Sequence, residues 1–454
     1  LAGGILRAPV DDLPSVSRRE AFWTWARIAM LSFGGPAGQI AVMHRILVDE
    51  KKWISERRFL HALNYCMLLP GPEAQQLAVY VGWLMHRIRG GLVSGTLFIL
   101  PGLVSLGILS WIYAAYGQVG LVASLFFGLK AAVLAIVLDA VVRIGKRALK
   151  SRALVGVAAA AFVAIFVFAV PFPLIILAAA AFGWFAGQPQ NGGHGAAKDG
   201  EGGLIDAQFA RRMPEHVKPS LPRLVAIALT GIVLWFAPML VSILMLGPGN
   251  VFAAIAAFNA KMAVMTFGGA YAVLSYMAQQ AVQHYHWLKP DEMLVGLGLA
   301  ETTPGPLISV VQFTGFLAAA RSPGALAPMA AGTLGGLIAM WTTFVPSFLW
   351  IFLGGPYVEA LIGNRRLHAA LSAVTAAVVG VILNLAIWLA LHTLFAQVRP
   401  FGLLNLPVLA SVNWAALAIA IAALVAVFRF RIGIIPVLAG SCLAGVALHF
   451  FQLT

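Results

Sequence analysis

Two short backbone-breaking motifs stand inside otherwise apolar sequence, and each occurs twice. Phe33-Gly34-Gly35-Pro36 is matched by Phe267-Gly268-Gly269, and Pro70-Gly71-Pro72 by Pro304-Gly305-Pro306. A helix that starts at such a break leaves its first N–H groups without intrahelical partners, and its dipole adds about half a positive charge there. Glycine lets a solute approach the bare backbone, and proline at the first helical position gives up no donor that the helix needs. Four such starts brought together would offer donors to the four oxygens of a tetrahedral dianion. The implied chemistry is anion binding by peptide N–H groups.

Polar side chains gather beside these breaks. Arg27 and Lys261 are matched cations a few residues before each Phe-Gly-Gly, in apolar surroundings. An ionisable group at depth in a membrane is costly and therefore a substrate candidate; the bland alternative is that both snorkel to the interface. Gln39, Gln75 and Gln76 follow the first-half motifs, while Thr302, Thr303, Ser309 and Gln312 surround the second Pro-Gly-Pro. Glu73 directly follows the first Pro-Gly-Pro, where a carboxylate competes with an anion for the same N–H groups. Its protonation on substrate binding would couple proton and anion movement; otherwise it is a helix-start acid stabilised by the dipole. Glu301 is its nearest counterpart but precedes its motif, so the halves are not equivalent here. Lys130 lies about halfway along an apolar run and is either a further candidate or a lysine satisfied within helix packing. Trp53 and Trp287 read as interfacial anchors.

Catalytic chemistry finds no footing. The ten histidines are scattered, no His-Glu-x-x-His spacing occurs, and Cys66 and Cys442 lie far apart. Neither a metal nor a cofactor is expected.

The elements that must position these residues follow from composition. Of 454 residues, 61% are hydrophobic and 10% charged, against roughly a quarter charged in soluble proteins. So few charges cannot cover a surface in water, so the partner is a lipid bilayer. Apolar runs such as 92–116 and 119–142 exceed the ~18–20 residues that span hydrocarbon as helix. Abundant Ala, Gly and Leu without alternation exclude a β-barrel. The net charge of +14 does not signal nucleic acid, because the basic residues sit at the ends of apolar runs, densest from Arg143 to Arg152. The polar first residues do not read as a cleavable signal peptide.

The chain reads as an internal duplication. A shift of 234 relates both motif pairs, Arg27 to Lys261, Met43 to Met277 and Trp53 to Trp287; a shift of 245 relates Pro101 to Pro346 and Asp139 to Asn384. The expected units are a first repeat over 1–187, a flexible Gly-rich hydrophilic linker over 188–222, a connecting transmembrane helix over 223–250 and a second repeat over 251–454. The motifs split their segments into arms of about a dozen residues, which rise only ~18 Å against a ~30 Å core. Re-entrant hairpins with glycine-proline tips near the midplane satisfy this; a kinked span through each motif is the alternative. Basic residues flank the first-half hairpins, whereas the 284–292 connection of the second half carries Lys289 against Asp291 and Glu292. That asymmetry, with 153–186 forming two short spans, predicts an all-α polytopic membrane protein built as an inverted repeat with re-entrant half-helices.

Taken in order, Phe33-Gly34-Gly35-Pro36 with Gln39, Trp53-Ile54 and Pro70-Gly71-Pro72 closely resembles the chromate ion transporter family. The second Phe-Gly-Gly and Pro-Gly-Pro look like that family's second domain, so the resemblance covers nearly the whole chain. It implies chromate efflux across a bacterial inner membrane, driven by the proton motive force, with halves in opposite orientation. One departure is Ala270 where the first half has Pro36, which weakens the equivalence of the two Phe-Gly-Gly tips. Chromate and sulfate share charge and shape, so a sulfate or other oxyanion transporter, inward or outward, is the main alternative. A passive channel or an intramembrane enzyme is a further one, and homo-oligomerisation stays open.

Overall fold

The computed structural model describes residues 16–33, 35–117, 119–186, 203–211, 214–267, 270–358, 365–401 and 404–451. The first half runs through α1 (Arg18–Leu31), α2 (Gly35–His44), α3 (Glu56–Leu68), α4 (Glu73–Tyr116), α5 (Gly120–Ala148), α6 (Arg152–Phe166) and α7 (Phe172–Ala186). A short α8 (Leu204–Arg211) and the apolar α9 (Leu221–Leu246) lead to the second half. There follow α10 (Val251–Met265), α11 (Ala270–Gln279), α12 (Pro290–Thr302), α13 (Val310–Arg321), α14 (Pro328–Gly354), α15 (Arg365–Leu394), α16 (Trp414–Phe428) and α17 (Ile434–Phe450). Among the described residues, five helices are long and apolar enough to cross a bilayer: α4, α5, α9, α14 and α15. This is a multi-pass membrane protein.

Local chemistry sets the breaks. Ser17 and Ser55 cap α1 and α3 by accepting from the N–H groups of Glu20 and Arg58, and Asn250 caps α10 through Ala253. The arms between breaks are short, 14 and 10 residues for α1 and α2 and 13 for α3. The long α4 is bent where Arg87 takes φ +56°, which makes its first part another short arm.

The duplication reaches individual backbone bonds. After α2 and α11 the chain widens into π turns at Arg45–Glu50 and Gln280–His284. Lys52 and His286 then take φ 49° and 52°, and the N–H groups of Trp53 and Trp287 return to the carbonyls of Leu47 and Ala281. All these pairs obey the shift of 234. Both tryptophans are buried, at 2% and 9% exposure, so they pin these turns rather than sit in a lipid-facing belt as expected; Trp287 also stacks on Tyr285.

A third register was not legible in the sequence. The α6–α7 and α16–α17 hairpins match at a shift of 262, with Ala169 and Arg431 at φ 50° and 54° in their connections. The extra residues form a small antiparallel hairpin, β1 (Val398–Phe401) on β2 (Leu404–Pro407). The other elements among the described residues are helical, as expected of an all-α membrane protein.

These hairpins pack crosswise: α6 and α7 on α15, and α16 and α17 on α5. Glycines permit the approach. A Cβ on Gly445 would lie 2.2 Å from the Ser124 carbonyl oxygen, and one on Gly183 would lie 2.4 Å from that of Ala369. Small residues that bring helix backbones together are the usual cement of helices in lipid, where apolar burial alone gives no drive. By contrast, α9 lies largely exposed along α10 and α14, tied by Trp235 Nε1 to the Thr342 carbonyl and Trp341 Nε1 to that of Leu234.

Part of the segment expected to be a flexible linker carries ordered structure, over 203–211 and 214–222; residues 187–202, 212 and 213 lie outside the described residues. Leu204 and Ile205 N–H groups donate to the carbonyls of Lys52 and Trp53. The Asp206 carboxylate accepts from Ser55 N–H at 2.9 Å and Arg58 Nε at 2.5 Å, and Arg58 also lies over the Phe209 ring. His216 Nε2 donates to the Trp83 carbonyl, and burial pushes its pKa below the usual value, so the ring is held neutral. Leu204, Ile205 and Phe209 are apolar residues within a hydrophilic segment, and they cover the α2–α3 turn. Asp206→Ala is expected to cost about 1–2 kcal/mol, since it strands a half-buried charged pair and a capped N–H. A lowered melting temperature of the purified protein checks this.

Candidate functional site

The helix breaks of the two halves meet crosswise. Gly71 N–H donates to the Thr266 carbonyl at 2.8 Å, and Gly305 N–H donates to the Ser32 carbonyl at 2.9 Å. Gly71 and Gly305 are equivalent in the repeat, and so are Ser32 and Thr266. Each Pro-Gly-Pro is thus tied to the residue just before the other half's Phe-Gly-Gly. The bonds also answer a local need, because α1 and α10 end there and leave carbonyls without intrahelical donors.

Conformation and space explain the glycines at two positions. Gly71 and Gly305 take φ +134° and +108°, a region that L side chains rarely enter. A Cβ on Gly71 would lie 2.8 Å from Ser347 Oγ. Facing Gly305 is Gly102, on which a Cβ would lie 2.8 Å from the Pro304 carbonyl oxygen. Gly102 and Ser347 are themselves equivalents at the shift of 245, one helical residue after Pro101 and Pro346.

Side chains complete the junction. Gln39, 1% exposed, donates from Nε2 to the Gly305 carbonyl at 2.5 Å. Gln76 Nε2 donates to the Pro70 carbonyl at 2.8 Å, closing the turn through Pro72. Tyr271 Oη donates to Glu301 Oε1 at 2.6 Å and lies 4.0 Å from where a Cβ on Gly35 would be. The start of α2 in the first half therefore faces the start of α11 in the second. Gly34, Gly268 and Gly269 lie outside the described residues.

Several buried polar atoms at this junction find no hydrogen-bond partner among the described residues. They are both amide atoms of Gln75, Gln76 Oε1, Ser309 Oγ, Gln312 Oε1 and Glu301 Oε2. Gln75 and Ser309 are equivalents, each in the first turn after its Pro-Gly-Pro. The Gln76 N–H is the first to bond within its helix, to the Pro72 carbonyl, so the N–H groups of Glu73, Ala74 and Gln75 precede the helical ladder. Buried polar groups are nearly always paired, and a cluster of exceptions marks a place where something else supplies the partner. Of these atoms Gln75 Nε2 and Ser309 Oγ can donate to an oxyanion oxygen, together with the free peptide N–H groups; the Gln76 and Gln312 amide nitrogens are engaged by the Pro70 and Leu103 carbonyls, which leaves only their acceptor oxygens open.

Other sequence candidates fall elsewhere. Arg27 is exposed and its Nη1 lies 2.8 Å from Glu50 Oε2; Lys261 also faces outward. Neither is brought to the crossed breaks. Lys130 lies 3.8 Å from Asp291, at the far end of α12. Thr302 and Thr303 hydroxyls bond back to the carbonyls of Leu299 and Ala300, so they finish α12. Glu73 is half-buried at the start of α4, without an ion-pair partner among the described residues. Sequence reasoning missed Ser32, Thr266, Gly102, Ser347 and Tyr271. The first two were findable as hydroxyl residues immediately before each Phe-Gly-Gly; Tyr271 was not, since its equivalent is Ala37.

Comparison with known proteins agrees with this layout. The family model described as chromate transporter matches residues 19–184 and 253–446, so each matched segment carries one Phe-Gly-Gly and one Pro-Gly-Pro. A chromate transport protein of Pseudomonas aeruginosa is 33% identical over 81% of this chain and 80% of its own length. One from Cupriavidus metallidurans is 28% identical over 84% of each chain. A probable chromate transport protein of Synechococcus elongatus is 25% identical over 81% of this chain and 84% of its own. No solved structure matches. With both repeats matched and a relative of this identity aligned over most of its length, the chain belongs to the chromate transporter family.

Proposed function

We propose that this protein exports chromate across a bacterial inner membrane, binding the dianion where the four helix breaks meet. The observation that supports this most is that Gln75 Nε2 and Ser309 Oγ, at equivalent positions just after the two crossed Pro-Gly-Pro turns, are buried donors without a partner among the described residues. The proposed site is lined by Gly35, Gln39, Pro70, Gly71, Pro72, Gln75 and Gln76 from one half. Pro304, Gly305, Pro306 and Ser309 line it from the other, while Thr303 ends the preceding helix. Arg27 and Lys261 enter the proposal as outward charges along the approach. The two repeats are proposed to lie in opposite senses, their short arms forming re-entrant hairpins whose tips stand near the midplane. The reciprocal Gly71–Thr266 and Gly305–Ser32 bonds fit that arrangement.

Energetics favour the outward direction. An inside-negative potential of ~100 mV drives a dianion outward by roughly 4.6 kcal/mol, twice the ~2.3 kcal/mol per charge. A proton carried with the dianion on Glu73 or Glu301, the acids beside the breaks, would leave one net negative charge and about 2.3 kcal/mol of that drive, so the proton motive force acts on export through its electrical part. Sulfate offers the same charge and shape, and the amide and hydroxyl donors do not discriminate between them; competition by sulfate in the assay below measures that preference.

The test is chromate uptake into inside-out vesicles. Gln75→Ala and Ser309→Ala are each expected to weaken apparent affinity about tenfold or more, the value of one hydrogen bond to a charged group. Wild-type affinity in both variants would remove the site from this junction.

A further inference from the structure

The duplicated frame carries its acids unequally, and the inequality has a chemical consequence. Tyr271 and Glu301 form a buried pair with exposures of 4% each, yet their equivalents at the shift of 234 are Ala37 and Met67. Nothing in the first half repeats this pair. Its hydroxyl stands at the Gly35 break, and its carboxylate is one residue from the end of α12, before the second Pro-Gly-Pro. Glu301 Oε1 accepts the Tyr271 proton, while Oε2 is buried without a partner among the described residues.

Donor counting then separates two states. An ionised Glu301 only accepts, and it engages the single proton that Tyr271 has to give. The junction then holds a negative charge and loses one donor, which opposes a dianion on both counts. A protonated Glu301 gains an O–H of its own and no longer requires the tyrosine proton. The pair then presents two donors and no charge, which suits an oxyanion. The other charged groups around Glu301 are Asp139 and Arg143 of α5, within electrostatic reach of it and 3.6 Å from one another. At the other end of α12, Lys130 and Arg321 are engaged by Asp291 and Glu292.

We propose that Tyr271 and Glu301 form the proton-linked half of the anion site: one proton is taken up on the Glu301 carboxyl as the dianion binds, and Tyr271 is the positioning residue that turns its hydroxyl from Glu301 to the anion. No bond other than those to the proton is made or broken. This rests on the oxyanion site proposed above and names which acid couples to it, Glu301 rather than Glu73.

The experiment is calorimetric titration of the purified, detergent-solubilised protein with chromate at pH 8, in buffers of differing ionisation heat, which counts protons exchanged on binding. Wild type is expected to take up about one proton per anion. Glu301→Gln should bind with uptake near zero, and Glu73→Gln should keep the wild-type count. Tyr271→Phe is expected to weaken binding about tenfold and to shift the pH midpoint of binding, a change that loosened packing would not produce. Unchanged proton uptake in Glu301→Gln overturns the inference while leaving the site intact. Absence of chromate binding in wild type, or binding indifferent to Gln75→Ala and Ser309→Ala, overturns the site itself.

Discussion

Replacing Gly71 by alanine is expected to reduce chromate transport by about a hundredfold or more. Two costs coincide at this position. The backbone sits at φ +134°, where a Cβ-bearing residue is strained by about 1–3 kcal/mol. The new methyl would also lie 2.6 Å from Gln76 Nε2 and 2.8 Å from Ser347 Oγ. Moving Gln76 breaks its bond to the Pro70 carbonyl, and moving the backbone breaks the Gly71–Thr266 bond that joins the halves. Gly305 provides an internal comparison, since its φ is +108° but a Cβ there meets nothing closer than 3.4 Å. Gly305→Ala therefore carries the strain without the clash and should be the milder variant. Adding Ser347→Gly to Gly71→Ala should recover part of the lost transport. The measurement is initial rate in vesicles, normalised to folded protein; equal rates for Gly71→Ala and wild type would show that this turn does not set the site.

The largest effect on stability is expected from Gly128→Ala, at about 3 kcal/mol or more. A Cβ at Gly128 of α5 would lie 1.9 Å from the Ser441 carbonyl oxygen on α17. Backbone cannot yield as a side-chain end can, so the helices must separate and lose contact along their shared face. Gly380→Ala on α15, with its Cβ 2.1 Å from the Ala158 carbonyl oxygen, should behave alike where α15 packs on α6. Gly440 of α17 is the control: a Cβ there meets nothing within 4 Å, and alanine should be tolerated. Thermal unfolding and monodispersity of the purified variants report the difference. Similar melting temperatures for Gly128→Ala and Gly440→Ala would show that this glycine contact carries no weight.

What the sequence determined by itself was whatever depends on local pattern. Hydrophobic run length and scarcity of charge decide the solvent, hence a multi-pass helical protein. Glycine and proline decide where helices stop, and α3 ends at Leu68, just before Pro70-Gly71-Pro72. The duplication was visible because equivalent breaks need equivalent residues. The last hairpin escaped notice because α6, α7, α16 and α17 are uniformly apolar, and lipid-facing sequence holds few positions that require one residue.

Tertiary structure alone decided which breaks meet. Nothing local to Pro70-Gly71-Pro72 says that its N–H reaches Thr266, almost two hundred residues on, or that Gln39 reaches Gly305. It also decided which polar residues are satisfied: Thr303 closes its own helix, while Gln75 and Ser309 are buried without protein partners among the described residues. Arg27 and Lys261 drew attention as matched charges, yet the rotation of their helices turns them outward. The physical reason is common to all of these. Period and breaks are properties of one segment, whereas pairing and burial are properties of the neighbours that folding brings to it.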